Sequence, residues 1–205
     1  MREIERIEFT RMRYVIRSTM PMLFFALLLL PASAARAQVG AYQRDEAVAV
    51  RLISGVEGTG ARAAIPLGLQ IRLAPGWHTY WRSPGEAGFP PRLKWQGSDN
   101  LKTATLLYPA PKRYAAYGIE TIGYEGDVVL PIGAAVQKPG EALDLHAALD
   151  LLVCSNICVP KHFTLALDVP KGPATPSAAA ALIDHYRALI PGTAVQSGLS
   201  ITGLS

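Results

Sequence analysis

The two cysteines of this 205-residue chain, Cys154 and Cys158, lie four positions apart. A fully extended chain would separate their Cα atoms by about 13 Å, whereas a disulfide requires about 4.4–6.8 Å. The intervening Ser155 and Asn156 are residue types that favour a turn. A tight turn between the cysteines would therefore allow the two sulfur atoms to form a disulfide.

Three kinds of site are compatible with this pair. A disulfide that closes so short a loop removes little entropy from the unfolded chain, about 2 kcal/mol, so a structural staple here would be weak. Closely spaced pairs in exposed loops are often labile and suited to thiol–disulfide exchange. Two thiolates and the imidazole of His162 could instead bind Cu(I) or zinc. The spacing favours exchange and leaves the staple and the metal site open.

The sequence around the pair limits these alternatives. A spacing of four gathers Cys154, Cys158 and His162 on one face only in a helix, whereas the alternation over 162–169 predicts a strand. No Lys, Arg or His lies between the cysteines, so Lys161 and His162 are the nearest groups in the sequence that could stabilise a thiolate.

The first 37 residues have the pattern of a secretory signal peptide. Five arginines precede an uninterrupted apolar stretch, Met22 to Leu30, and Ala35 and Ala37 match the small-x-small cleavage pattern. The apolar stretch is far shorter than the roughly 20 residues that span a bilayer, so a retained anchor is the weaker alternative. We therefore predict export to the periplasm, an oxidising compartment in which disulfides form.

Charge and composition exclude several classes of protein. The formal net charge of +4, from 20 basic and 16 acidic residues, suggests an anionic partner. Cleavage after Ala37 would remove six basic and three acidic residues, leaving 14 and 13 and no basic run, so we expect no nucleic-acid partner. A hydrophobic content of 50% excludes intrinsic disorder, and two cysteines are too few for a disulfide-rich mini-protein.

The remaining chain predicts an all-β domain over residues 41–170. Leu67, Leu69, Ile71 and Leu73 alternate with polar residues or glycine, which is typical of a half-buried strand. Short strands punctuated by Gly and Pro, with no helical period between them, predict an antiparallel β-sandwich. The predicted strands are 47–53, 67–73, 92–95, 105–108, 127–132, 143–151 and 163–169.

The composition changes after Pro170. Residues 171–205 predict a linker, a short C-terminal helix over Ser177–Leu189 with Ser177 as its N-cap, and the start of a further segment. We therefore expect the chain to be the front of a longer protein.

Three aromatic residues, Trp77, Tyr80 and Trp81, form a second cluster of interest. Large aromatic residues on a sandwich strand most often lie in the core, so we expect at least one of the three there. Neighbours on a strand point to opposite faces, so either Tyr80 or Trp81 should lie outside the core, close to the cysteine loop.

Four stretches resemble one known family: Pro75–Trp81, Tyr117-Gly118, Gly123-Tyr124 and Leu152–Pro160. Over residues 45–170 the chain resembles the N-terminal periplasmic domain of DsbD-type thiol:disulfide interchange proteins, in particular the ScsB branch. The resemblance implies an immunoglobulin-like sandwich without a cofactor or small-molecule substrate. It also implies that a membrane-embedded partner reduces the cysteine pair, which then reduces oxidised, thioredoxin-like periplasmic proteins.

The family assigns further roles to residues near the cysteines. It implies that Cys158 forms the mixed disulfide and that an aromatic residue of the cap loop 112–118, Tyr114 or Tyr117, covers the pair. The best-studied branch has an acidic pair and a phenylalanine where this chain has 114–116, and five residues rather than three between its cysteines. We also place Tyr80 and His162 around the site.

Two other functions stay open at this point. The chain could be a copper-binding or copper-tolerance protein that uses the same cysteines, or an envelope interaction module without catalysis. If exchange is its function, the chain is part of a protein-disulfide reductase system. It must then be a fragment or depend on a separately encoded electron donor, because it contains no membrane-embedded domain of the DsbD type.

Overall fold

The computed structural model describes residues 39–116 and 118–192. The predicted signal peptide, Tyr117 and the predicted further segment after the helix lie outside the described residues. The described part forms eleven strands and one helix. In chain order they are β1 Gln43–Arg44, β2 Val48–Ser54, β3 Ala64–Leu73, β4 His78–Gly85, β5 Arg92–Trp95, β6 Leu101–Leu106, β7 Lys112–Ala116, β8 Ile119–Glu125, β9 Asp127–Val136, β10 Leu143–Cys154, β11 Cys158–Val169 and α1 Ala180–Ala188. No helix among these residues is long and apolar enough to cross a bilayer.

The strands form two antiparallel sheets, as the sequence predicts. One sheet has five strands in the order β1-β2-β3-β9-β6. The other has the order β11-β10-β4-β8-β7, with β5 paired to the side of β10. The inner faces of both sheets contribute to one hydrophobic core, in which Leu69 and Ile71 of β3 pack with Leu145 and Leu149 of β10. The predicted antiparallel sandwich is therefore confirmed.

The short helix covers the outer face of the five-stranded sheet. Ile183 of α1 is fully buried and packs with Ile53 of β2 and Val129 of β9. A methyl group added to Gly68 would lie 3.3 Å from Ile183 and 2.7 Å from Val129, so the helix sits directly on the strands. Both faces of β3 are therefore buried over part of its length, although the sequence predicts a strand with one solvated face.

The helix begins later than the sequence predicts. Its N-cap is Ala179, without a side-chain cap, so the prediction of Ser177 as N-cap is wrong. The Ser177 hydroxyl donates to the carbonyl of Ser54 and accepts a hydrogen bond from the Ala179 N–H. The hydroxyl therefore joins the linker to β2 just before the helix, and the helix itself begins without a side-chain cap.

Strand β8 lies unusually close to β4. Gly123 of β8 is directly opposite Tyr80 of β4, and a Cβ atom at Gly123 would lie 1.8 Å from the carbonyl oxygen of Thr79. Any larger residue would therefore push the two strands apart. This close approach brings β7 and β8 next to the strand that carries the aromatic cluster.

The packing of α1 generates a stability prediction. Replacing Ile183 by alanine should lower the free energy of unfolding by about 2 kcal/mol, because it empties a site buried between helix and sheet. Urea unfolding of the two proteins measures the difference. The matched control is Leu182→Ala on the same helix, where the side chain is exposed and the expected loss is within about 0.5 kcal/mol. Equal losses for both variants would contradict the observed docking of the helix.

Candidate functional site

The cysteines occupy the closed end of the long β10–β11 hairpin. Twelve residue pairs are in register from Leu143 and Val169 to Cys154 and Cys158, which form the last pair. Their Cα atoms are 4.1 Å apart and their sulfurs form a disulfide. The Ser155 N–H donates to the Ile157 carbonyl at 2.9 Å and closes the loop. The tight turn predicted between the cysteines is therefore present.

The disulfide lies on the outer face of its sheet. Alternate residues of β10 up to Val153 point into the core, so Cys154, the next residue, points to the opposite face. Directly opposed residues of antiparallel strands share a face, which places Cys158 and His78 on the same side as Cys154. Cys154 is nevertheless only 1% exposed, whereas Cys158 is exposed. The pair is therefore asymmetric, with one buried sulfur-bearing residue and one that solvent reaches.

Tyr80 covers the buried cysteine. Its hydroxyl donates a 2.9 Å hydrogen bond to Cys154 Sγ, and its oxygen lies 3.7 Å from Cys158 Sγ. The ring packs against Gly88, where a Cβ atom would lie 2.4 Å from Tyr80 Cε1, so only glycine leaves room for it. Burial raises the pKa of Tyr80, which keeps the phenol protonated and able to donate.

The position of Tyr80 agrees with the expected alternation of the aromatic cluster. Trp77 and Trp81 are partly buried and pack against the core. Tyr80 points to the outer face, where it reaches the cysteines. It is 2% exposed all the same, because neighbouring strands and the loop containing Gly88 enclose the ring.

Two further rings continue from Tyr80 across this face. His78 meets Tyr80 edge to face, with ring centroids 5.5 Å apart, and stacks on Tyr114 at 5.0 Å and 14°. Burial lowers the pKa of His78, and the nearby Glu125 carboxylate opposes that effect. Burial together with Glu125 raises the pKa of Tyr114 to about 12. The Tyr114 hydroxyl is buried without a hydrogen-bond partner among the described residues.

A shallow groove runs over the disulfide between the β10–β11 turn and the β7–β8 hairpin. Its lining includes the two cysteines, His78 and Tyr80, to which the structure adds Ala87, Ile119, Thr121, Ser155 and Asn156. Ile119 and Ile157 are large apolar side chains exposed to 46% and 66%. Sequence reasoning missed His78 and Ile119, although the alternation in 77–81 places His78 on the face of Tyr80.

The structure does not bring Lys161 or His162 to the sulfurs. Lys161 forms an ion pair with Asp45, and His162 Nδ1 lies 2.7 Å from Asp150 on the neighbouring strand. His162 is four residues along β11 from Cys158, about 13 Å of extended strand. The alternative metal set of Cys154, Cys158 and His162 is therefore not assembled. Among the described residues, no group of three or more His, Cys, Asp or Glu side chains is arranged to hold a metal ion.

The structure describes one of the two predicted cap residues, Tyr114, but not the other, Tyr117. Tyr114 is close to the site, but it contacts His78. It is absent from the lining of the groove over the cysteines. Tyr117, the other candidate, lies outside the described residues. The β7–β8 hairpin reaches the groove through Ile119 and Thr121 of β8.

Comparison with known proteins agrees with this geometry. Residues 44–170 match the family described as thiol:disulfide interchange protein DsbD, N-terminal. The crystal structure of the N-terminal periplasmic domain of ScsB from Proteus mirabilis superposes with a TM-score of 0.61 at 28% identity. The match covers 76% of this chain and 60% of that one, so this chain spans less than two thirds of the ScsB structure.

A second solved structure is more distant. The reduced DsbD N-terminal domain of Neisseria meningitidis aligns with 14% identity over 62% of this chain and 90% of that one. Its TM-score of 0.33 is too low to support a structural argument. None of the curated protein sequences compared with the chain matches it.

The contact between Tyr80 and Cys154 generates a prediction about the reduced protein. In a Cys158→Ala background, where Cys154 is the remaining thiol, Tyr80→Phe should raise the pKa of Cys154 by about one unit, because the thiolate loses a hydrogen bond. The ultraviolet absorbance of the thiolate measures this pKa. Tyr108→Phe is the matched control, since it removes a phenol that donates to the Pro91 carbonyl. An unchanged Cys154 pKa in Tyr80→Phe would contradict the predicted role of the phenol.

Proposed function

Because the chain belongs to the DsbD N-terminal domain family, we propose that it is a periplasmic thiol–disulfide exchange domain that uses Cys154 and Cys158. The observation that carries the proposal is the asymmetry of the disulfide. Residue Cys158 is exposed, while Cys154 is buried beneath Tyr80 with its sulfur hydrogen-bonded. Exchange needs one sulfur that can be attacked and one that can leave as a stabilised thiolate.

The exposure of residue Cys158 supports an attack at its sulfur. A thiolate of an electron-donating partner attacks Cys158 Sγ, the intramolecular S–S bond breaks, and Cys154 leaves as a thiolate that accepts the Tyr80 hydrogen bond. The second thiol of the donor then attacks the mixed disulfide and releases Cys158. The donor dithiol becomes a disulfide, and this domain gains two electrons and two protons.

The same steps in reverse deliver the electrons. The reduced domain attacks the disulfide of an oxidised partner through Cys158, and Cys154 then displaces the partner as a dithiol. We propose a membrane-embedded donor and thioredoxin-like periplasmic acceptors, the partners that the resemblance of the chain to this family implies. The periplasmic location rests on the signal-peptide pattern of residues 1–37 and on the periplasmic ScsB domain.

Access to the disulfide is the second part of the proposal. The β7–β8 hairpin borders the groove; β8 pairs with β4, and Tyr114 of β7 adds a contact to β4 by stacking on His78. Ile119 of the same hairpin lies beside the cysteines. We propose that this hairpin is the cap, with Tyr114 holding it closed until a partner displaces it.

Single-cysteine variants test the exchange mechanism. The reagent is a thioredoxin-like periplasmic domain whose cysteine is activated as a mixed disulfide with thionitrobenzoate. Cys154→Ala retains the exposed Cys158 and should react with this reagent at least about tenfold faster than Cys158→Ala does. Cys158→Ala retains the buried Cys154 and should react slowly. The release of coloured thionitrobenzoate gives the rates, and mass spectrometry identifies the adducts. If Cys158→Ala reacted faster, the proposed roles of the two cysteines would be reversed. If neither variant formed an adduct, the proposed exchange function would be overturned.

The cap makes a separate prediction about a small reductant. Tyr114→Ala should increase the rate at which dithiothreitol reduces the disulfide about fivefold, because a stacked ring pair is worth about 1 kcal/mol. Tyr114→Phe is the matched control and should react like the wild type, since it keeps the ring and removes a hydroxyl that has no partner among the described residues. Equal rates for all three proteins would show that Tyr114 does not restrict access.

A further inference from the structure

His78 lies close to the cysteine pair in the strand register but has no role in the proposed exchange steps. It is directly opposite Cys154 in the register of β4 and β10, so both side chains leave the sheet on the same face. It also lines the groove that contains both cysteines. The structure therefore places an ionisable imidazole in the same groove as the sulfur that leaves when the disulfide is opened.

The surroundings of His78 favour the neutral ring while the disulfide is intact. On its own strand His78 meets Tyr80, and from β7 Tyr114 stacks on it. From β8 its opposed residue is Glu125, whose carboxylate is 2.7 Å from Lys112 Nζ of β7 and is partly neutralised by it. Burial is the larger influence and lowers the pKa of His78. The imidazole is then uncharged near neutral pH beside an uncharged disulfide.

Reduction changes this balance, because it creates a thiolate in the groove that the ring lines. An opposite charge nearby favours the protonated imidazole and equally favours the thiolate, so the two groups should titrate as a coupled pair. The buried sulfur of Cys154 is the one affected, since it lies opposite His78 and has little access to solvent. The enclosing tyrosine rings limit screening by water and strengthen the coupling.

We propose that His78 takes up the proton that accompanies reduction of the disulfide and balances, as an imidazolium, the thiolate of Cys154. The donor dithiol supplies two electrons and two protons as it becomes a disulfide. One proton binds the Cys158 sulfur. The other binds the His78 imidazole, so the Cys154 sulfur stays a thiolate. In the reverse reaction His78 releases its proton as Cys154 attacks the mixed disulfide. This assignment rests on the proposed exchange function and names the group that manages its proton.

The first test uses the wild-type protein and needs no substitution. The imidazole resonances of His78 are followed by NMR against pH in the oxidised and the dithiothreitol-reduced protein. We expect the pKa of His78 to be higher by at least about one unit in the reduced form. The surface residue His146, which pairs with Asp144, is the control, and its resonances should not depend on the redox state. The same pKa for His78 in both redox states would overturn the proposal.

The second test measures the thiol. In the Cys158→Ala background, His78→Gln should raise the pKa of Cys154 by about one unit. At a pH below both pKa values, the fraction of Cys154 present as thiolate then falls about tenfold. His146→Gln is the matched control and should leave the pKa unchanged, because His146 is eight residues along β10 from Cys154. An unaltered Cys154 pKa in His78→Gln would contradict the proposed ion pair. A purely structural role of the ring predicts no change in this pKa, so the measurement separates the two roles.

These measurements separate the proton role from exchange itself. They need no partner protein, whereas the proposed exchange function is judged by adduct formation with the activated thioredoxin-like domain. Adduct formation without redox-linked titration of His78 would overturn the proton role alone. Redox-linked titration without an adduct would overturn the exchange function and leave the coupling between His78 and Cys154 in place.

Discussion

The opposition of Cys154 and Cys158 at the end of the β10–β11 hairpin is the constraint on which the site depends. Twelve residue pairs in register bring the two residues together and fix the face from which both side chains leave the sheet. Because a shift of one residue in this register would move every side chain to the opposite face, the buried leucines of β10 also determine where the sulfurs point. The register of β10 and β11 therefore determines both the packing of the core and the position of the two sulfurs.

The outer-face position separates the chemistry from the core. The sandwich core lies between the sheets, while the disulfide lies on the outer face, where Tyr80 contacts it and His78 and Tyr114 continue a second, smaller layer. The S–S bond therefore contacts that layer, and the inner leucines pack elsewhere, between the sheets. The layer also makes the two sulfurs unequal, since it buries Cys154 and leaves Cys158 exposed. This inequality is what a directional exchange reaction requires.

Much of the fold could be predicted because its signals are local. The alternation of Leu143 to Leu151 and of Phe163 to Val169 predicts two strands that face the core, and the structure has both. The N-cap prediction was wrong because the helix begins only at Ala180; Ser177 lies in the linker, where its hydroxyl bonds to Ser54, a residue 123 positions away that no local pattern reveals. Lys161 and His162 were assigned by proximity in sequence, but carboxylates on other segments bind them. Proximity along a strand says little about contact, since each residue adds about 3.3 Å.

The amino-acid sequence by itself determined the class of the domain, the motif that carries its chemistry and the turn that joins the cysteines. Those features depend on side-chain periodicity and on chain length over a few residues. Only the tertiary structure decided which cysteine is buried, which phenol contacts it and which imidazole lies opposite. These contacts join β4, β7 and β10, strands separated by tens of residues, and they follow from the register and close approach of the sheet. The physical reason is that pairing between strands is a long-range interaction, whereas the sequence patterns report each strand alone.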